Sequence, residues 1–94
     1  MKKEDIVSFL REHKSFFKEH FCVEKIGLFG SYARGEADEK SDIDIIVEMP
    51  SDFDRYYDLK DFLEEAFDKR VDLGLQGSLR NLIKTQIEDE IIYV

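Results

Sequence analysis

Positions Ile6, Phe9, Leu10, His13, Phe16, Phe17 and His20 recur at three- and four-residue spacing, with charged residues between them. That period predicts an amphipathic helix over residues 3–20. Residues 24–29, EKIGLF, form a short apolar run ending at Gly30, the pattern of a buried strand. Ser31 then opens a helical turn of about five residues, closed by Gly35. A polar loop over 36–41 leads into Asp42-Ile43-Asp44-Ile45-Ile46-Val47, a second strand whose apolar run predicts burial on both faces. After Pro50, Ser51 with Asp54 three residues on reads as a capping-box variant, starting a helix over 52–67. Its buried side is predicted from Phe53, Tyr56, Tyr57, Phe62, Leu63, Ala66 and Phe67. This aromatic stripe reads as core, with Tyr56 and Tyr57 as candidates for exposure to a partner. Val71, Leu73 and Leu75 alternate with Asp72 in a third strand over 70–75. A helix over 78–88 follows, with Arg80 and Lys84 one turn apart, on a solvated face or in reach of phosphate. Residues 91–94 close the chain as a short strand or packed tail.

The order defines an α/β (α+β) chain: a small mixed sheet of three to four strands flanked by helices. Ninety-four residues without internal repeat, linker or low-complexity tract predict a single domain spanning 1–94. The acidic balance, 22 Asp and Glu against 14 Lys and Arg, argues against a broad nucleic-acid surface and against attraction to membranes. No run approaches membrane-spanning length, and the N-terminus lacks the apolar core of a signal peptide. Cys22 is the one cysteine, so no intrachain disulfide forms and a reducing, cytoplasmic setting fits. Between Phe21 and Val23 it reads as a buried structural thiol. A catalytic thiol needs a base, and His13 and His20 both lie on the N-terminal helix.

The chemistry concentrates in Gly30 to Val47, GSYARGEADEKSDIDIIV. A strand, Gly-Ser and a helix N-terminus together suit phosphate: glycine permits close approach, the hydroxyl donates, and helix N–H groups are unpaired. Taken alone, Gly-Ser is equally an N-cap. Alternation puts Asp42 and Asp44 on one face, with Cα atoms about 7 Å apart. Carboxylates that close repel, and a divalent ion removes that cost. Hard oxygen donors favour Mg²⁺ or Mn²⁺ over zinc. Asp72, costly at the centre of an apolar strand, is the natural third ligand; a salt bridge to Arg70 or Lys69 is the plainer account. Arg34 and Lys40 suit phosphate contacts, and an ion pair of Arg34 with Glu36 is the alternative.

Gly-Ser, ten intervening residues, Asp-x-Asp, and a third aspartate 28 residues after the second form an ordered set on three strands. In this set the chain resembles the nucleotidyltransferase superfamily, whose fold is shared with DNA polymerase beta, and more closely its minimal nucleotidyltransferase (MNT) group. The resemblance covers essentially the whole chain. It implies two Mg²⁺ ions on Asp42, Asp44 and Asp72, with Gly30 and Ser31 on the β- and γ-phosphates of ATP. Arg34 and Lys40 would be further phosphate contacts, and in-line attack at the α-phosphorus would release pyrophosphate. Asp72 would be ligand, base or both. The chain has no room for an acceptor domain, so a second polypeptide or a second copy must complete the site. The partner that the resemblance implies is a HEPN-domain ribonuclease toxin, with AMP transferred to its tyrosine by this chain as antitoxin. A non-catalytic antitoxin that blocks by binding, and a dimeric small-molecule nucleotidyltransferase, are the alternatives.

Overall fold

The computed structural model of the chain describes residues 1–50, 52–75 and 90–94. Its elements, in chain order, are α1 (Lys3–Glu12), α2 (Lys14–Phe21), β1 (Lys25–Phe29), α3 (Gly30–Arg34), β2 (Ile43–Glu48), α4 (Phe53–Phe67), β3 (Val71–Leu75) and β4 (Ile92–Tyr93). The helix expected over 78–88, with Arg80 and Lys84, lies outside the described residues.

The strands form one mixed sheet in the order β3-β2-β1-β4. β1 pairs antiparallel with β2 and with β4, whereas β2 and β3 run parallel. A parallel pair needs a crossover, and α4 supplies it. One face of the sheet, carrying Ile26, Leu28, Ile43, Ile45, Val47, Val71 and Leu73, packs in a single cluster with Ile6, Leu10, Phe17, Leu59 and Leu63 from the helices. Ile46, on the opposite face of β2, is also buried, so the apolar run is covered on both sides as its composition requires.

The single helix expected over 3–20 is two helices broken at His13. The His13 backbone leaves the helical region (φ −101°, ψ 10°), and its Nδ1 bonds the Phe9 carbonyl at 2.9 Å. The ring also stacks on Phe9, with centroids 4.0 Å apart. The Phe9 carbonyl also accepts from the His13 amide at 3.1 Å, so ring and amide share it at the break. The kink turns Phe17 and Phe21 onto the sheet, while His20 is exposed. Phe62 and Phe67 join this aromatic seam: Phe62 lies 5.1 Å from Phe16, and Phe67 5.0 Å from Phe9.

In α4 the buried stripe is Leu59, Leu63 and Phe67, with Tyr56 and Phe62 half-buried. Phe53 and Ala66, expected inside, are exposed, and so is Tyr57, a candidate for exposure. The aromatic pattern shifted the helix phase by about one residue, because Leu59 rather than Tyr57 faces the sheet. The N-cap is Asp52, whose carboxylate accepts from the Asp54 and Arg55 amides; Ser51 lies outside the described residues. Cys22 is half-buried rather than core, sits in left-handed backbone (φ 58°), and its Sγ accepts from Arg55 at 2.9 Å.

α4 also ends on a left-handed residue, Asp68 (φ 52°), which is exposed and carries a negative charge at the negative end of the helix dipole. Replacing it with glycine removes the Cβ strain and the charge, against a smaller entropy loss. Asp68→Gly is therefore expected to raise stability by about 1 kcal/mol, a rise in Tm of roughly 4–8 °C by thermal melting. An unchanged or lower Tm would contradict this account of the cap.

Candidate active site

The face of the sheet away from the core carries the acidic residues. β2 and β3 pair with Asp44 directly opposite Asp72, and on the other side of β2 Asp44 stands opposite Phe29. Parallel neighbours lie about 4.8 Å apart, so these two carboxylates rise from adjacent points on one face. Asp42 precedes β2 by one residue and is exposed, on the Asp44 side by alternation. The structure thus brings Asp42, Asp44 and Asp72 to one end of one face. Asp72 makes no ion pair among the described residues, so the salt bridge to Arg70 or Lys69 is absent there.

Burial pushes the Asp44 carboxyl up to about 6, and the charges of Asp72 and Asp42 push in the same direction, while Arg34 opposes them. The charges of the three acids are therefore coupled at Asp44. Yet no group of three His, Cys, Asp or Glu among the described residues closes tightly enough to hold a metal ion. The chemistry of the donor set, all carboxylate oxygens, suits a hard divalent ion.

Gly30 explains how Asp44 is placed. It opens α3 with φ +76°, and a Cβ there would lie 2.1 Å from Asp44 Oδ2. Glycine is required on both counts: the backbone is left-handed, and the α3 entry lies against the Asp44 carboxylate. Ser31 is half-buried and is not the helix cap, a position held by Phe29. The Ser31 hydroxyl has no partner among the described residues. Tyr32 anchors the turn in the core, and Gly35, also left-handed, closes it.

Arg34 borders the site. Its Nε pairs with Glu36 at 3.0 Å and its Nη1 with Glu90 at 3.2 Å. The hydrogen bond to Glu36, and after it the charge of Glu90, raise the Arg34 pKa. The Arg34–Glu36 pair was foreseeable from spacing. Glu90 was missed, since nothing local links residues 56 apart. Lys40 stands exposed in a turn held by Asp38 and Ser41, its own amide donating to Asp38 Oδ1. Its ammonium has no partner among the described residues. Lys69 Nζ ties the same loop down by donating to the Glu39 carbonyl at 2.9 Å.

The Gly30–Ser31 turn thus lies against Asp44, with Asp72 beside it on the parallel strand. Residues 10–94 match the nucleotidyltransferase domain, and the chain belongs to that family. It is a minimal nucleotidyltransferase, an enzyme of the protein adenylyltransferase kind. It is 44% identical over 94 residues to the protein adenylyltransferase MntA of Thermococcus cleftensis, covering 97% of this chain and 94% of that one. A solved minimal nucleotidyltransferase superposes with a TM-score of 0.83 at 30% identity, covering 98% of this chain and 95% of the other. A toxin–antitoxin structure with AMP-PNP gives 0.70 at 27% identity, over 99% and 72%. The tri-AMPylated HEPN toxin of Shewanella oneidensis in complex with its MNT antitoxin gives 0.60 at 26%, over 97% and 66%. No described helix is long and apolar enough to cross a membrane.

Two outcomes test this geometry. Because the folded Asp44 carboxyl titrates near 6, above its ordinary 3.8, the folded chain holds a proton that the unfolded chain has released between those values. Its contribution to stability therefore grows as pH falls from 6 toward 4 and is unfavourable at neutral pH. In EDTA, Asp44→Asn should be more stable than the parent at pH 7.5, by about 1 kcal/mol once solvent screening of this half-exposed group is allowed for. Urea titrations should show the gap closing by pH 4; a gap that is constant with pH would refute the shift. Separately, Gly30→Ala should cost about 2–3 kcal/mol, and about 1 kcal/mol less in an Asp44→Ala background that removes the collision. Equal costs in the two backgrounds would mean that residues 30 and 44 do not touch.

Proposed function

We propose that this chain transfers AMP from ATP to a tyrosine hydroxyl of a HEPN-domain toxin and silences it as an antitoxin. The observation that carries the reading is the Asp44–Asp72 pair, held side by side on parallel strands with the Gly30 turn against it. The kinship with MntA and with the antitoxin bound to a tri-AMPylated HEPN toxin supplies the acceptor class. The AMP-PNP in a related structure supports ATP as donor. A cytoplasmic setting, where ATP is plentiful, fits.

In this reading the Gly30 amide and the uncommitted Ser31 hydroxyl hold the β- and γ-phosphates. Arg34 and Lys40 add positive charge at the rim, Arg34 held in place by its two glutamates. Asp42, Asp44 and Asp72 would hold Mg²⁺ or Mn²⁺, two ions in the full arrangement. The chemistry a divalent ion supplies there is neutralisation of charge on the triphosphate and acidification of the acceptor hydroxyl. Asp72, exposed on the edge strand, lies where an incoming hydroxyl can reach it and takes its proton. The hydroxyl oxygen bonds to the α-phosphorus as the bond to the β-phosphate oxygen breaks, and pyrophosphate leaves opposite.

The test is intact-mass analysis of the partner toxin after incubation with this chain, ATP and Mg²⁺. One or more added AMP groups are expected, lost on EDTA addition and lost in Asp42→Ala or Asp44→Ala by at least about a hundredfold in rate. An unmodified toxin in a tight complex, still neutralised by the alanine variants, would replace catalysis with inhibition by binding.

A further inference from the structure

α4 has a second face that the core does not use. Phe53 is 80% exposed and Tyr57, one turn on, 56% exposed. Large aromatic rings left in water on neighbouring turns are a reserve of binding area, since each can bury about 150–250 Å². Asp54, Asp58, Asp61 and Glu65 are also exposed on this helix, at spacings of four, three and four residues. Like charges so spaced repel one another along a helix. Cations brought by another molecule turn that repulsion into attraction.

The face is continuous with the site. Tyr57 lies against Tyr56, with ring centroids 5.2 Å apart. Tyr56 donates its hydroxyl to the Leu73 carbonyl, next to Asp72 on the edge strand β3. A protein seated on Phe53 and Tyr57 therefore lies along the sheet edge that carries Asp72, the edge from which an acceptor hydroxyl must come.

We propose that the Phe53–Tyr57 face of α4, flanked by its acidic stripe, is where the protein acceptor docks, offering an apolar socket ringed by lysine and arginine. This rests on the protein-acceptor reading above and names the surface that serves it. The aromatic pair supplies the desolvated centre of the contact, and the acids steer the approach.

Two double variants on exposed positions test it: Phe53→Ser with Tyr57→Ser, and Asp54→Lys with Asp58→Lys. With the HEPN-domain toxin as acceptor, both should raise the acceptor KM by about tenfold or more, and ATP affinity by calorimetry should stay within about twofold. The charge-reversal effect should shrink in high salt, the serine effect should not. An acceptor KM within about twofold of the parent for both variants overturns the proposal. So does a parent homodimer that the serine variant dissociates without a change in acceptor KM, which would give the face to a second copy. If the parent transfers nothing, calorimetric binding of the toxin still reads the face. Absent transfer sinks the catalytic reading, whereas unchanged toxin affinity in both variants sinks this one.

Discussion

The parallel pairing of β2 with β3 is the constraint on which the site depends. It sets Asp44 beside Asp72 with no turn between them, so their spacing is fixed by the hydrogen-bonded ladder and not by side-chain choice. A parallel pair cannot be made locally. The fifteen residues of α4 must cross the core face to bring β3 into register, and Leu59, Leu63 and Phe67 anchor that crossing. The apolar side of the sheet thus determines the chemistry of its acidic side. A one-residue slip of β3 would turn Asp72 into the core and Leu73 out.

The second constraint is the approach of α3 to β2. Gly30 lets backbone touch the Asp44 carboxylate, and Tyr32, two residues on, locks the turn into the core. Asp44 is thereby partly withdrawn from water, the largest reason its carboxyl is reluctant to ionise. The fold thus holds a carboxyl whose charge is disfavoured by burial and by its acidic neighbours.

Most of the architecture was legible in the order of apolar runs, because strand-length runs and helix-length periods alternate cleanly here. The Gly-Ser and Asp-x-Asp spacing made the site legible as well. The misreadings share a cause: they depended on contacts outside the local pattern. The helix break falls at His13, where ring and amide share one carbonyl, at a position that kept the helical period. Phe53 looked like core because aromatics usually are, yet the phase of α4 is set by Leu59. Cys22 sits between two apolar residues but caps a helix in left-handed backbone, which turns it toward Arg55. Glu90 reaches Arg34 across the fold, where only three-dimensional proximity could reveal it. The closeness of Gly30 to Asp44 was likewise invisible in the sequence, since it depends on how α3 meets β2.

The outer edge of β3 carries one further consequence. Its Val71 amide is taken by Glu64 and its Leu73 carbonyl by Tyr56, both from α4. At the other end of the described sheet, β4 is only two residues long. A strand added along the β3 edge would first have to displace Glu64 and Tyr56 from those two groups. The helix that carries β3 across the core thus also guards its rim, and that guard is made of side chains that point mutation can retune without disturbing the sheet.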